Sequence, residues 1–111
     1  MAWIDLKESS QLENEIVQKT GRHLVFKHSP RCGISSMALR RFEQTAYFKN
    51  SKDTFWMINV LLSRDVSNQM AQTFGIRHES PQVLLIESGK LLHHASHAGI
   101  DGDLILKIHY L

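Results

Sequence analysis

The sequence predicts an α/β protein with a mixed central sheet and helices on both of its faces. Through most of the chain, short apolar runs rich in strand-forming residues alternate with segments of helical periodicity. Towards the C-terminus, two strand-like runs flank a tight turn and precede a last helical segment, which predicts a β-hairpin plus helix. Together these patterns predict four or five strands flanked by about four helices.

The composition is that of a globular protein. The 111 residues are 42% hydrophobic and 22% charged, with a net charge of +2. This length suits one domain over residues 1–111. The basic residues form no stripe for nucleic acid, and no apolar run is long enough for a membrane span. The charged first twenty residues and the single cysteine predict a reducing, cytoplasmic location.

The N-terminal part of the chain begins with a short apolar segment and then alternates between helix and strand. Ser10 and Glu13 have the spacing of a capping box, which predicts a helix over 10–20. Residues 23–28 are apolar at their centre and predict a buried strand. Apolar residues then recur at helical spacing and predict one long helix over 34–47, whose apolar face packs on the sheet.

The strongest strand pattern in the chain covers residues 53–61, which are dense in aromatic and β-branched residues and contain no glycine or proline. We expect this strand to be central. A third helix follows, capped by Ser63 or Asp65, and Gly75 stands just past its end.

The C-terminal part predicts the hairpin and a closing helix. Residues 83–86 and 91–95 are the two strand-like runs, and Ser-Gly-Lys supplies the turn between them. The closing helix is expected over 104–108, with Asp101 or Asp103 near its start.

One turn carries the candidate chemistry, because it joins a strand to a helix and contains the only cysteine, Cys32. This position lies at or just before a helix N-terminus, where unpaired N–H groups and the helix dipole stabilise a thiolate. Arg31 adds a positive charge beside it. Ser35 is a candidate donor to the sulfur, and His28 is a candidate for orienting or activating the thiol.

The absence of a second cysteine restricts the chemistry. A dithiol reductase needs a resolving thiol three positions after the first, and that position is Ser35. What remains is a monothiol cycle. In it, Cys32 attacks a mixed disulfide between a protein and a small thiol, takes up the small thiol, and is released by a second thiol.

Two features resemble the thioredoxin fold: the Cys-x-x-Ser turn that opens a helix, and Ser80-Pro81 ahead of the hairpin. In that superfamily the proline is cis and lies beside the reactive cysteine. The resemblance therefore implies that Ser80 and Pro81, together with Gly33 and Ile34 after the cysteine, contact the substrate.

The turn is more closely similar to that of the small monothiol bacilliredoxins of the bacillithiol system, through Lys27-His28-Ser29 and Arg31-Cys32-Gly33-Ile34-Ser35. It differs at Arg31, where that family usually has threonine, and at Gly33, where it often has proline. The resemblance implies removal of bacillithiol, or a similar small thiol, from mixed disulfides on proteins. The expected partners are S-thiolated proteins and a small-thiol reductant, with no tightly bound cofactor and a monomer or weak dimer.

Two alternatives remain at this point. The Cys-Gly-Ile-Ser turn is also similar to the Cys-Gly-Phe-Ser turn of monothiol glutaredoxins, which carry an iron–sulfur cluster with glutathione. Those proteins have a Gly-Gly pair after the hairpin, whereas residues 94–99 here read His-Ala-Ser-His-Ala-Gly. The other alternative is a non-catalytic binding module on the same scaffold.

The histidines invite a metal interpretation, most of all His93, His94 and His97. Adjacent residues on a strand point to opposite faces, so His93 and His94 are poorly placed to share an ion. We therefore expect no metal site.

Overall fold

The computed structural model describes residues 3–108 and contains a five-stranded mixed sheet between two layers of helices. The strands are β1 (Ile4–Asp5), β2 (Arg22–His28), β3 (Thr54–Asn59), β4 (Gln82–Glu87) and β5 (Lys90–Ser96). Their order in space is β1-β3-β2-β4-β5. The first three are parallel to one another, whereas β4 runs antiparallel to β2 and β5 antiparallel to β4. The predicted fold class is confirmed.

Five helices cover the two faces of the sheet. They are α1, which begins as one α-helical turn (Ser9–Gln11) and widens into π-helix (Leu12–Val17), α2 (Gly33–Glu43), α3 (Ala46–Asn50), α4 (Arg64–Phe74) and α5 (Gly102–Leu106). A short 3₁₀ turn, His97–Gly99, precedes α5. Within residues 3–108, none of the helices has both the length and the apolar character that crossing a membrane requires.

Strand alternation divides the core into two apolar clusters. On β2, Leu24 and Phe26 face one side of the sheet and pack with residues of α2, α3 and α5. Val25 faces the other side and packs with residues of α1 and α4. Side chains of β3 and β4 join both clusters, because successive residues of a strand point to opposite faces. The central strands are therefore buried on both faces.

The first helix begins earlier than the sequence predicts. The Gln11 side-chain oxygen accepts hydrogen bonds from the backbone N–H groups of Lys7 and Glu8, at 2.8 and 3.0 Å. Gln11 therefore has the capping role that was expected of Glu13, and the helix begins at Ser9. The predicted Ser10–Glu13 capping box is wrong, because Glu8 and Gln11 have the same spacing two residues earlier.

The long helix predicted over 34–47 is two helices. Thr45 is extended, with φ −76° and ψ 153°, and its hydroxyl donates to the Phe42 carbonyl at 2.7 Å. The same oxygen accepts from the Phe48 N–H at 3.4 Å, so Thr45 caps α3. The apolar periodicity continues across the break, which explains why it predicts a single helix.

The predicted hairpin is present, and the closing helix lies two residues earlier than predicted. The hairpin pairs Gln82 with Ser96 and Glu87 with Lys90. The Asp101 carboxylate accepts from the N–H groups of Asp103 and Leu104, at 2.9 and 3.4 Å. Asp101 is thus the cap of α5, which begins at Gly102, two residues before the predicted start.

Candidate active site

Cys32 lies in the turn between the end of β2 and the start of α2. Its N–H donates to the Ser29 carbonyl at 3.1 Å, which closes a turn, and its own carbonyl accepts from the Ser36 N–H at 3.0 Å. Cys32 is the N-cap residue of α2, with extended backbone angles, and it is partly exposed. Cys32 therefore stands at the positive end of an eleven-residue helix.

Ser35 lies one helical turn below the cysteine and is fully buried. Its hydroxyl oxygen accepts from the Ser29 N–H at 3.1 Å and lies 2.7 Å from Nδ1 of His28. Burial lowers the pKa of His28, although the Glu43 carboxylate acts in the opposite direction. The Ser35 hydroxyl and the His28 ring therefore share a hydrogen bond.

This network corrects one expectation about the site. Ser35 was predicted to donate a hydrogen bond to the sulfur of Cys32, and the structure does not show that bond within residues 3–108. The hydroxyl is already engaged by His28 and by the backbone of Ser29. His28 likewise hydrogen-bonds to Ser35, with no hydrogen bond to the sulfur within residues 3–108, so the pair holds the first turn of α2 on the end of β2.

The other predicted residues of the turn face solvent. Arg31 and Gly33 are exposed, and Ile34 is 65% exposed despite being apolar. A Cβ atom placed on Gly33 would meet no atom within 4 Å. The surface around the thiol is therefore open, with one cation before the cysteine and one apolar side chain after it.

The Ser80–Pro81 peptide bond is cis. Pro81 directly precedes β4, and Gln82 pairs with Lys27 near the end of β2, so the proline lies at the same edge of the sheet as the cysteine turn. The hydroxyl of Ser80 is buried and has no hydrogen-bond partner in the described part of the chain. The structure thus brings Ser80 and Pro81 to the site region.

Sequence reasoning missed a buried lysine behind this edge. Lys27 is fully buried on the face of β2 opposite to His28, and its Nζ donates to the Ser67 carbonyl at 3.0 Å. Nδ1 of His78 lies 3.4 Å from the same Nζ and 2.9 Å from the Ser67 hydroxyl oxygen. Burial, helped by the charge of Arg64, lowers the pKa of Lys27 to about 8. The detectable signal was a lysine inside an otherwise apolar strand.

The histidines of the hairpin do not form a metal centre in the described residues, where no group of three or more potential ligands is placed to hold an ion. His93 is opposite Leu85 and His94 opposite Leu84, on successive positions of β5. Their side chains therefore leave the sheet on different faces.

Comparison with known proteins agrees with this architecture. A solved structure described as a candidate oxidoreductase with a thioredoxin fold is 25% identical, has a TM-score of 0.82, and is matched over 94% of this chain and 90% of its own. Thioredoxin from Trypanosoma brucei brucei is 15% identical, with a TM-score of 0.73 over 94% of this chain and 84% of its own. A mutant thioredoxin from Halobacterium salinarum NRC-1 is 16% identical, with a TM-score of 0.67 over 95% and 88%.

The family comparison is more specific than the structural one. The model of the family described as "Monothiol bacilliredoxin BrxC" matches residues 4–105, which include every element of the sheet and the cysteine turn. The family model and the oxidoreductase among the similar structures together identify the protein as a thiol–disulfide oxidoreductase. The chain belongs to the monothiol bacilliredoxin BrxC family.

Proposed function

We propose that the protein removes bacillithiol, or a similar low-molecular-weight thiol, from mixed disulfides on other proteins in the cytoplasm. The observation that carries the proposal is the pairing of an accessible cysteine at the start of α2 with a buried serine three residues later. The family's name supports bacillithiol as the small thiol. The partners are then S-thiolated proteins and a small-thiol reductant, and no tightly bound cofactor is needed.

The reaction is an exchange of thiol and disulfide without net oxidation. The Cys32 thiolate attacks the small-thiol sulfur of the mixed disulfide, the new sulfur–sulfur bond forms, and the substrate protein leaves as a thiolate that takes up a proton. A second small thiol, as its thiolate, then attacks the adduct. It releases Cys32 as a thiolate and carries the first small thiol away as a symmetric disulfide.

Each proposed residue has a part in this cycle. Cys32 is the nucleophile, and Arg31 and the start of α2 stabilise its negative charge. Ser35 and His28 position the turn that carries Cys32 through their hydrogen bonds to each other and to the Ser29 backbone. Gly33, Ile34, Ser80 and Pro81 border the place where the substrate's disulfide must lie.

The test compares a model protein carrying bacillithiol with the same protein carrying glutathione as substrates. We expect the wild type to release bacillithiol, and Cys32→Ser to reduce release to the uncatalysed rate. Met37→Leu is the matched control, because Met37 is a 60% exposed sulfur residue near the start of the same helix and has no role in the cycle. Release is followed by intact-mass spectrometry of the substrate.

The outcomes separate the candidate functions. Faster release of glutathione than of bacillithiol would overturn the choice of small thiol. Equal inactivity of wild type and Cys32→Ser towards both substrates would overturn the enzymatic function and favour a binding module. A protein that is brown when purified without oxygen, with visible absorption lost in Cys32→Ser, would instead favour an iron–sulfur carrier.

A further inference from the structure

An open groove of about 450 Å³ begins one residue before Cys32. One wall is Pro30 and Arg31, from the turn that carries the cysteine, and the other is formed by residues that end or follow β3, namely Asn59, Leu61 and Leu62. Strands β2 and β3 are parallel, and His28 is level with Asn59, so the two walls meet at the same edge of the sheet. The groove therefore borders the turn that carries Cys32.

The β3 wall is apolar and fixed in place. Leu61 and Leu62 are 52% and 83% exposed. The Asn59 side-chain oxygen accepts from the backbone N–H groups of both leucines, at 3.0 and 3.3 Å. This Asx turn holds the leucines outward without burying them.

The polar side-chain groups of the groove are hydrogen-bond donors. No carboxylate within residues 3–108 makes an ion pair with the Arg31 guanidinium. With its oxygen committed to the turn, Asn59 has only its amide N–H₂ to offer a ligand. A cationic fork and an amide donor over apolar walls match an anionic, hydrogen-bond-accepting group on a small carbon frame.

A neighbouring depression shares Asn59 and Leu62 with the groove but has a different charge pattern. Asp5 and Glu8 contribute carboxylates there, together with the cation Lys7. An anion is therefore favoured at the Arg31 end of this surface, next to the sulfur, and not at the far end.

We propose that the groove binds the small-thiol half of the mixed disulfide and that Arg31 pairs with a carboxylate of that thiol. The inference rests on the proposed function and adds a residue that sets its specificity. In the exchange, the carboxylate lies on Arg31 while the Cys32 thiolate bonds to the thiol's sulfur and the substrate protein departs as a thiolate. Arg31 is then a specificity-determining residue.

The test uses one model protein whose single cysteine forms a disulfide with 3-mercaptopropionate, which is anionic, with 2-mercaptoethanol, which is neutral, or with cysteamine, which is cationic. The quantity measured is the ratio of second-order rate constants for transfer of each thiol to Cys32, divided by the ratio for the free thiolate of a cysteine peptide. This double ratio cancels the reactivity of the sulfur and of each disulfide. We expect the wild type to favour the anionic over the neutral thiol by about fivefold.

Two substitutions and one control define the role of the arginine. Arg31→Gln should lower the double ratio to about one, and Arg31→Lys should leave an intermediate value, because it keeps the charge but loses the planar fork. Arg77→Gln removes another exposed arginine that does not line the groove, and it should keep the wild-type preference. Arg31 is exposed, so these variants are expected to fold.

The outcomes distinguish this inference from the function on which it rests. Equal double ratios for all three thiols, or an anionic preference that survives in Arg31→Gln, would overturn the carboxylate site while leaving the exchange activity in place. Transfer of no thiol to Cys32 would overturn the proposed function itself.

Discussion

At the scale of single residues, Ser35 is where sequence and structure complement each other. Its place three residues after Cys32, in a sequence with one cysteine, indicates a monothiol protein from the sequence alone. The sequence could not reveal its hydrogen bonds, because they depend on how β2 and α2 meet. In the structure the hydroxyl connects the His28 ring to the Ser29 backbone.

We predict that Ser35→Ala destabilises the protein by about 1–3 kcal/mol, because it leaves the Ser29 N–H without its acceptor and His28 Nδ1 without its hydrogen-bond partner. The free energy of unfolding is measured by urea denaturation. Ser36→Ala is the matched control, since this half-exposed serine has no side-chain hydrogen bond in the described part of the chain, and its loss should stay within about 0.5 kcal/mol. Similar losses for the two variants would contradict the structural role of Ser35.

Lys27 shows the limit of residue-level prediction. In the family resemblance Lys27 is only part of the Lys27-His28-Ser29 motif, which does not indicate burial. In a strand pattern a lysine normally indicates an exposed position. The structure buries it, because the Ser67 carbonyl and the His78 ring together offer its ammonium group a polar environment. That environment comes from α4 and from the loop before β4, which lie forty and fifty-one residues along the chain.

At the scale of elements, the strands were predicted well because their apolar runs are short and strongly patterned. The helices were predicted in place but not in extent. Thr45 ends one apolar face and starts another without changing the periodicity, so only its extended backbone reveals the break between α2 and α3. The π-helical part of α1 has no counterpart in the pattern at all, because periodicity analysis assumes α-helical spacing.

The packing of α3 against α5 depends on the smallness of Gly102. A Cβ atom at this position would lie 2.8 Å from Cβ and 2.9 Å from Cγ2 of Thr45. Overlap of this kind costs about 1–3 kcal/mol, more than the roughly 1 kcal/mol that alanine gains over glycine within a helix. We predict that Gly102→Ala lowers the free energy of unfolding, measured by thermal and urea denaturation.

Gly99→Ala is the control for this packing prediction. An added Cβ there would meet its nearest neighbour, Ala95 Cβ, at an ordinary 3.8 Å. It should cost clearly less than Gly102→Ala. If Gly102→Ala proves neutral or stabilising, the close approach of α5 to Thr45 does not constrain the fold.

At the scale of the whole molecule, the burial of titratable groups makes stability depend on pH on both sides of neutrality. Burial lowers the pKa of four imidazoles, those of His23, His28, His78 and His93. Below about pH 6.5 the histidines bind more protons in the unfolded chain than in the folded protein. The free energy of unfolding therefore falls as the pH decreases. Lys27, with its pKa lowered to about 8, does the same between about pH 8 and 10.5.

We predict that the free energy of unfolding rises with pH from about 5 to 7 and again from about 8 to 9.5. Measurements stop below pH 10 because burial and the Asp53 hydrogen bond raise the pKa of Tyr47, so ionisation of the unfolded chain's tyrosine would reverse the trend. The urea midpoint is followed across both ranges. Lys27→Met should remove the upper rise, whereas Lys49→Met, at an exposed position of α3, should retain it. An upper rise that survives in Lys27→Met would refute the assignment.

The single sulfur has a consequence for anyone who isolates the protein from its own cells. With Ser35 in the place of a second cysteine, the chain has no internal disulfide in which to store its oxidised state. In the proposed cycle, the oxidised form of the protein is therefore the mixed disulfide between Cys32 and the small thiol. Rapid acid trapping and intact-mass measurement would then show a mass increment equal to that thiol, less the hydrogen that each partner loses. The protein would thereby report the chemical identity of its own co-substrate.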